Sequence, residues 1–171
     1  MRILGLDPGS RVTGFGIVEI TGPRKRYLDS GCIRPPLHGS LAGRLAALFE
    51  GVTLIIRDHR PLQVAVECVF VHKNPAAALK LGQARGALLT AVATAQLEVW
   101  EYAPRVIKQA VVGRGSASKH QVQQMVCALL ELPRPPASDA ADALAVALCH
   151  GHTLQTQRHI AAAIQTRSSP R

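Results

Sequence analysis

The stretch Gln63-Val-Ala-Val-Glu-Cys-Val-Phe70 constrains the fold more than any other. It is a near-continuous apolar run, not an alternating one. Such a strand belongs in the middle of a sheet with both faces covered. Its neighbours supply the covers. Over Ser40–Arg57, residues Leu41, Leu45, Leu48, Val52 and Ile55 recur at helical spacing. Pro75–Ala95 is a long helix rich in Ala and Leu. At the start of the chain, Ile3, Leu4 and Leu6 form a short strand ending at Asp7. Pro8-Gly9-Ser10 turns the chain, and Gly14–Ile20 returns as a second strand. Thr21–Arg26 reads as a turn with a basic tip, and Tyr27–Ile33 as a third strand. Beyond the long helix come a strand over Leu97–Tyr102 and helices over Pro104–Val112 and Lys119–Leu130. A last helix runs from Asp139 to about Leu154. This order predicts an α/β fold, a mixed five-stranded sheet with helices on both faces. No repeat or linker divides the 171 residues, so one domain is expected over 1–155. Residues 156–171 read as a polar, basic tail, partly disordered at its end.

Eleven acidic residues face twenty Lys and Arg, a net charge of +9. That balance suits a polyanionic partner such as nucleic acid, and equally a basic protein with none. With so few acids, their positions carry information. Asp7 stands where an apolar strand leaves the core, and Glu67 lies inside one. A buried carboxylate without a partner costs several kcal/mol or takes up a proton. The plain alternatives are a turn aspartate bonded to backbone N–H groups and a glutamate paired with an arginine. Asp139 and Asp142 share a face at the start of the last helix. Acids there also stabilise a helix by about 1 kcal/mol with no further role. The combination changes the balance: carboxylates meeting at one point repel unless a divalent cation joins them. Mg²⁺ suits such oxygen donors, and a metal pair suits phosphodiester hydrolysis.

Lys119 follows the Gly- and Ser-rich segment 113–118 and opens a helix, a good position for a phosphate. Lys108 and Lys119 could equally be solvated helix charges. Phe70 either packs in the core or stacks on a base beside Glu67. His150 and His152 lack a third ligand and read as packing or surface residues. Cys32, Cys68, Cys127 and Cys149 show no metal or disulfide spacing and suit a reducing, cytoplasmic compartment. No apolar run is long enough to span a membrane.

Five stretches taken together resemble the RuvC family of Holliday-junction resolvases. They are Gly5-Leu-Asp-Pro-Gly-Ser-Arg-Val-Thr-Gly14, Glu67-Cys-Val-Phe70, Lys80-Leu-Gly-Gln-Ala-Arg-Gly86, Lys108-Gln-Ala-Val-Val-Gly113 and Asp139-Ala-Ala-Asp-Ala-Leu-Ala145. The resemblance implies a ribonuclease-H-like fold, a homodimer and metal-dependent nicking of four-way DNA junctions. It implies Mg²⁺, with Mn²⁺ as substitute and two ions per site. It places the catalytic acids and metal ligands at Asp7, Glu67, Asp139 and Asp142, and DNA contacts at Phe70, Lys108 and Lys119. It also implies work beside the RuvA–RuvB branch-migration motor. Cys68, His72 and Trp100 depart from the family pattern.

Other classes compete. An actin- or sugar-kinase-type nucleotide binder also opens on a strand, Asp and Gly-rich hairpin, but needs a second half of similar size. A ribonuclease-H-like nuclease acting on RNA and a junction-binding protein without catalysis both fit the basic charge. Two apolar stripes on the Pro75–Ala95 helix bear on the dimer. One joins Ala77, Leu81, Ala84, Leu88, Ala91 and Ala95; the other joins Leu79, Gly82, Gly86, Leu89 and Ala93. Periodicity does not say which meets a second copy and which packs in the chain.

Overall fold

The computed structural model describes residues 1–36, 38–68 and 74–167. Five strands form one sheet, in the order β3 (Arg24–Ile33), β2 (Thr13–Thr21), β1 (Arg2–Asp7), β4 (Gln63–Glu67), β5 (Val99–Tyr102). The first three pair antiparallel, while β1–β4 and β4–β5 are parallel. The sheet is therefore mixed, as expected. Val64, Ala65 and Val66 of β4 are wholly buried.

Side-chain alternation divides the core between the two faces. On one, Leu4, Leu6, Ile17, Val64 and Val66 meet Leu48 and Val52 of α1 (Leu41–His59) and Leu88 of α2 (Pro75–Thr94). On the other, Ile3, Val18 and Ala65 meet Ile107 of α3 (Pro104–Val112), Val126 of α4 (Lys119–Leu129) and Leu144 and Leu148 of α5 (Ser138–Arg167). Each fully buried aliphatic side chain of this kind contributes about 1.5–3 kcal/mol.

Helix starts follow their caps. The Ser40 hydroxyl accepts from the Gly43 N–H at 3.1 Å. The Asn74 side chain accepts from Ala76 and Ala77, with Pro75 in the first turn. Ser118 and Gln121 close a reciprocal capping box at α4.

Several boundaries differ from expectation: β4 ends at Glu67 with Cys68 outside it and Phe70 beyond the described residues, α1 runs on to His59, and three further shifts follow. Strand β3 begins at Arg24, so the supposed basic turn shrinks to Gly22-Pro23, with Gly22 at φ 57°. Strand β5 begins at Val99. Helix α5 does not stop near Leu154 but continues to Arg167. Nothing after Gly151 breaks it, and Ala161, Ala162 and Ala163 are the strongest helix formers. Of the tail expected over 156–171, residues 156–167 are thus helical and 168–171 lie outside the described residues.

Helix α5 lies against the sheet at glycines. A β-carbon on Gly5 would collide with the carbonyl of Ala143, and one on Gly14 with the carbonyl of Asp139. One on Gly16 would stand 2.8 Å from the Leu144 backbone nitrogen. Here the helix backbone touches the strand backbone, a spacing only glycine permits.

Candidate active site

The β1–β4 register pairs Leu6 with Val66. The next residues, Asp7 and Glu67, therefore stand side by side where the two parallel strands end. Leu6 and Val66 point toward α1 and α2, so Asp7 and Glu67 face α5. Across the antiparallel pair, Asp7 is opposite Gly14. The start of α5 rests on Gly14, which brings Asp139 to the same corner, with Asp142 one turn further on. The strand ends and the glycine contact together bring the four acids to one corner of the sheet.

Their electrostatics show the crowding. Burial first, then the Glu67 carboxylate, then Asp142 and Asp139, push the Asp7 carboxyl from 3.8 up to about 8. Burial also raises Glu67, while the hydrogen bond from Asp7 and the charges of Lys119 and Lys108 pull it back. Burial and mutual repulsion thus raise both carboxyls above the ordinary range. The Asp142 carboxylate takes the Lys119 ammonium at 2.6 Å, and this bond leads the causes that raise Lys119. Glu67, Lys108, Lys119 and Asp142 line a cleft of about 230 Å³ with Ile107, Val122 and Ala145. Among the described residues, no three of His, Cys, Asp and Glu converge on one metal-sized point. The acids nonetheless suit a divalent cation. Their donors are hard oxygens, and their mutual repulsion is the strain such an ion relieves. Holding it requires Asp7 to release its proton and Asp142 to turn from Lys119.

Gln109 tightens the approach to Lys119. Its amide donates to the Gly113 carbonyl at 2.7 Å and accepts from the Gly115 N–H at 3.0 Å. This clamp on the 113–118 loop was not read from sequence, and neither was the glycine contact under α5. Glycines at 5, 14 and 16 inside strands were the available signal for the second. Phe70 and His72 lie outside the described residues. Trp100 stacks near His150, ring centres 5.2 Å apart, away from the acids. His150 is fully buried between the Tyr102 hydroxyl (2.7 Å, Nδ1) and the Gln63 carbonyl oxygen (2.9 Å, Nε2). Burial depresses it to about 4, so it is a neutral packing residue. Both His150 partners are side chains, Gln63 through its amide Oε1, whereas His152 bonds backbone, the Ala110 carbonyl at 2.9 Å. The Cys68 thiol donates to Glu101 at 3.5 Å.

Lys108→Ala and Lys119→Ala should each lower DNA affinity and reduce the slope of log affinity against log salt by about 1. Salt titration of binding to a labelled four-way junction in chelator checks this. Unchanged slopes for both would make them solvated helix charges.

The chain matches the family model described as "Crossover junction endodeoxyribonuclease RuvC" over residues 3–150. It is 55% identical over 152 residues to the crossover junction endodeoxyribonuclease RuvC of Pseudoalteromonas atlantica, covering 88% of this chain and 87% of that one. To the protein of the same name from Photobacterium profundum it is 54% identical over 154 residues, covering 90% and 88%. Among solved structures it is similar to Thermus thermophilus RuvC in complex with Holliday junction substrate. There the identity is 34% and the TM-score 0.87, over 92% of this chain and 96% of that one. The fold is thus the ribonuclease-H-like one of that protein.

Proposed function

This chain belongs to the RuvC family of crossover junction endodeoxyribonucleases, and from that premise we propose that it resolves four-way DNA junctions by paired, Mg²⁺-dependent nicks. The observation that carries the reading is the abutment of Asp7 and Glu67 at two parallel strand ends, with Asp142 and Lys119 closing over them. Asp7, Glu67, Asp139 and Asp142 would hold the cation or cation pair. When bound, it supplies Lewis acidity toward the phosphodiester and neutralises developing charge. Lys108 and Lys119 bind backbone phosphates on the α5 side of the strand ends and draw the scissile phosphate to the acids. Water adds to phosphorus, the bond to the 3′ oxygen breaks, and that oxygen leaves with a proton. The products are a 5′-phosphate and a 3′-hydroxyl. Nicks sealed directly by a DNA ligase would support this chemistry; ends that need prior phosphorylation would contradict it.

Two nicks in matched strands call for two equivalent sites, which a two-fold dimer supplies. The α2 stripes support one arrangement. Ala84, Leu88 and Ala91 are buried within the chain, whereas Leu79 is 65% exposed and Gly82, Gly86 and Ala93 are exposed too. Leu89 of the second stripe packs against the core, so its exposed part, Leu79, Gly82, Gly86 and Ala93, is the face we infer to meet a second copy. A β-carbon at Gly86 would meet nothing within 4 Å. Gly86→Arg should accordingly still fold, with native helix content, while giving a monomer in sedimentation equilibrium at micromolar protein. A dimeric variant, or a monomeric parent that makes both nicks at equal rate, would contradict this interface. Paired incision suits a place beside a branch-migration motor of the RuvA–RuvB kind.

A further inference from the structure

We propose that the cleft between α1 and the start of α2 is a second phosphate-binding track, holding the junction backbone on the side of the acids away from Lys108 and Lys119. The proposal rests on the DNA-nuclease reading and adds where the strand runs beyond the site. The cleft measures about 690 Å³. It borders the loop that follows Asp7, through Ser10 and Arg11. The two strand-end acids therefore stand between two basic regions, one on each face of the sheet.

Among the described residues three cations, Arg11, Arg44 and Lys80, and no acid line this cleft. Among the described residues none of the three forms an ion pair, although Arg2, Arg26, Arg57, Arg85 and Lys119 all do. Arg44 is held in place: its Nη2 donates to the Ser10 carbonyl at 2.5 Å. That bond fixes the guanidinium at the cleft wall, and a fixed guanidinium with no carboxylate partner among the described residues is suited to an oxyanion. Asn74 and Gln83 add polar side chains at the rim. The apolar floor includes Leu45 and Leu48, which suits sugar carbons better than a solvated carboxylate side chain. A backbone cut at Asp7 must continue past the strand ends on both sides. This is the cationic surface that meets it on the α1–α2 side, so the occupant is DNA phosphate.

The test is junction binding in chelator, with salt titration, for the parent, Arg11→Ala/Lys80→Ala and Lys108→Ala/Lys119→Ala. Arg11 and Lys80 are exposed, so their removal should leave the melting temperature in place. The first double variant should reduce the salt slope by roughly 2 and weaken binding by about tenfold or more at moderate salt. Neutral methylphosphonates placed singly around the cut should then locate the contact. Some should weaken parent binding yet leave Arg11→Ala/Lys80→Ala binding unaffected, and these should differ from the positions that report on Lys108 and Lys119. An unchanged slope in the first double variant, with a reduced one in the second, would overturn the track and keep the nuclease reading. A loss of dimer mass without loss of slope would overturn it in favour of a contact between copies. A parent that never nicks, but whose binding depends on Arg11 and Lys80, would keep the track and sink the nuclease reading.

Discussion

Asp7→Asn protein should bind a four-way junction as tightly as the parent and nick it about a thousandfold more slowly or worse. Binding rests on cations and phosphates. In the proposed reaction nicking rests on the carboxylate cluster; loss of several kcal/mol of transition-state stabilisation, at a factor of ten per ~1.4 kcal/mol, gives that drop. Asparagine keeps the shape and a donor for Glu67, but it cannot offer an anionic oxygen to a cation. The same substitution has a signature in stability without metal. The Asp7 carboxyl is raised from 3.8 to about 8, so the folded chain favours its protonated form. That contribution is complete below pH ~4, where the unfolded group is protonated too, and is lost as pH rises through about 8. In chelator the parent should therefore lose stability relative to Asp7→Asn between pH 4 and 8, and the variant should melt higher at pH 8. Melting curves across that range check the sign. A variant that melts lower at every pH would make Asp7 a structural residue.

Gly14→Ala should destabilise the chain by about 3 kcal/mol or more, roughly 10 °C in melting temperature, and remove nicking with it. The obstacle is backbone: a methyl at Gly14 runs into the Asp139 carbonyl, which no rotamer change can move. Helix α5 must lift at its start. Lifting it uncovers core around Leu144 and carries Asp139 and Asp142 away from Asp7. Gly82→Ala is the control. Unlike Gly14 it lies inside a helix, α2, where a β-carbon meets nothing within 4 Å, and it should gain about 1 kcal/mol in the monomer from helix propensity. Equal, small effects at both positions would refute the close contact between α5 and β2.

The sheet was legible because its signals are local. Apolar runs, the Pro8-Gly9-Ser10 turn and the Ser40 cap each act over a few residues. The five strands and the burial of Val64–Val66 follow from them, whereas the strand order β3-β2-β1-β4-β5 does not. What escaped was set by contact or by the lack of a stop. The length of α5 depends on nothing breaking it after Gly151. The choice between the α2 stripes depends on which side the sheet lies, and periodicity holds no information about that. The acids could be named singly from sequence, since a charge in an apolar strand is anomalous by itself. Their arrangement could not: it needs the β1–β4 register and the glycine that seats α5. The Lys119–Asp142 pair and the Gln109 clamp are likewise tertiary contacts with no periodic trace.

The carboxylates at the ends of β1 and β4 are proposed to cut four-way junctions with the help of a divalent cation. The most direct measurement incubates purified protein with end-labelled four-way junction, linear duplex and RNA–DNA hybrid, each with Mg²⁺ and with chelator. The account predicts symmetric paired nicks in the junction with Mg²⁺ and none in chelator, with duplex and hybrid left largely intact. Junction binding without incision across Mg²⁺ and Mn²⁺ titrations, or preferential cutting of the hybrid, would contradict it.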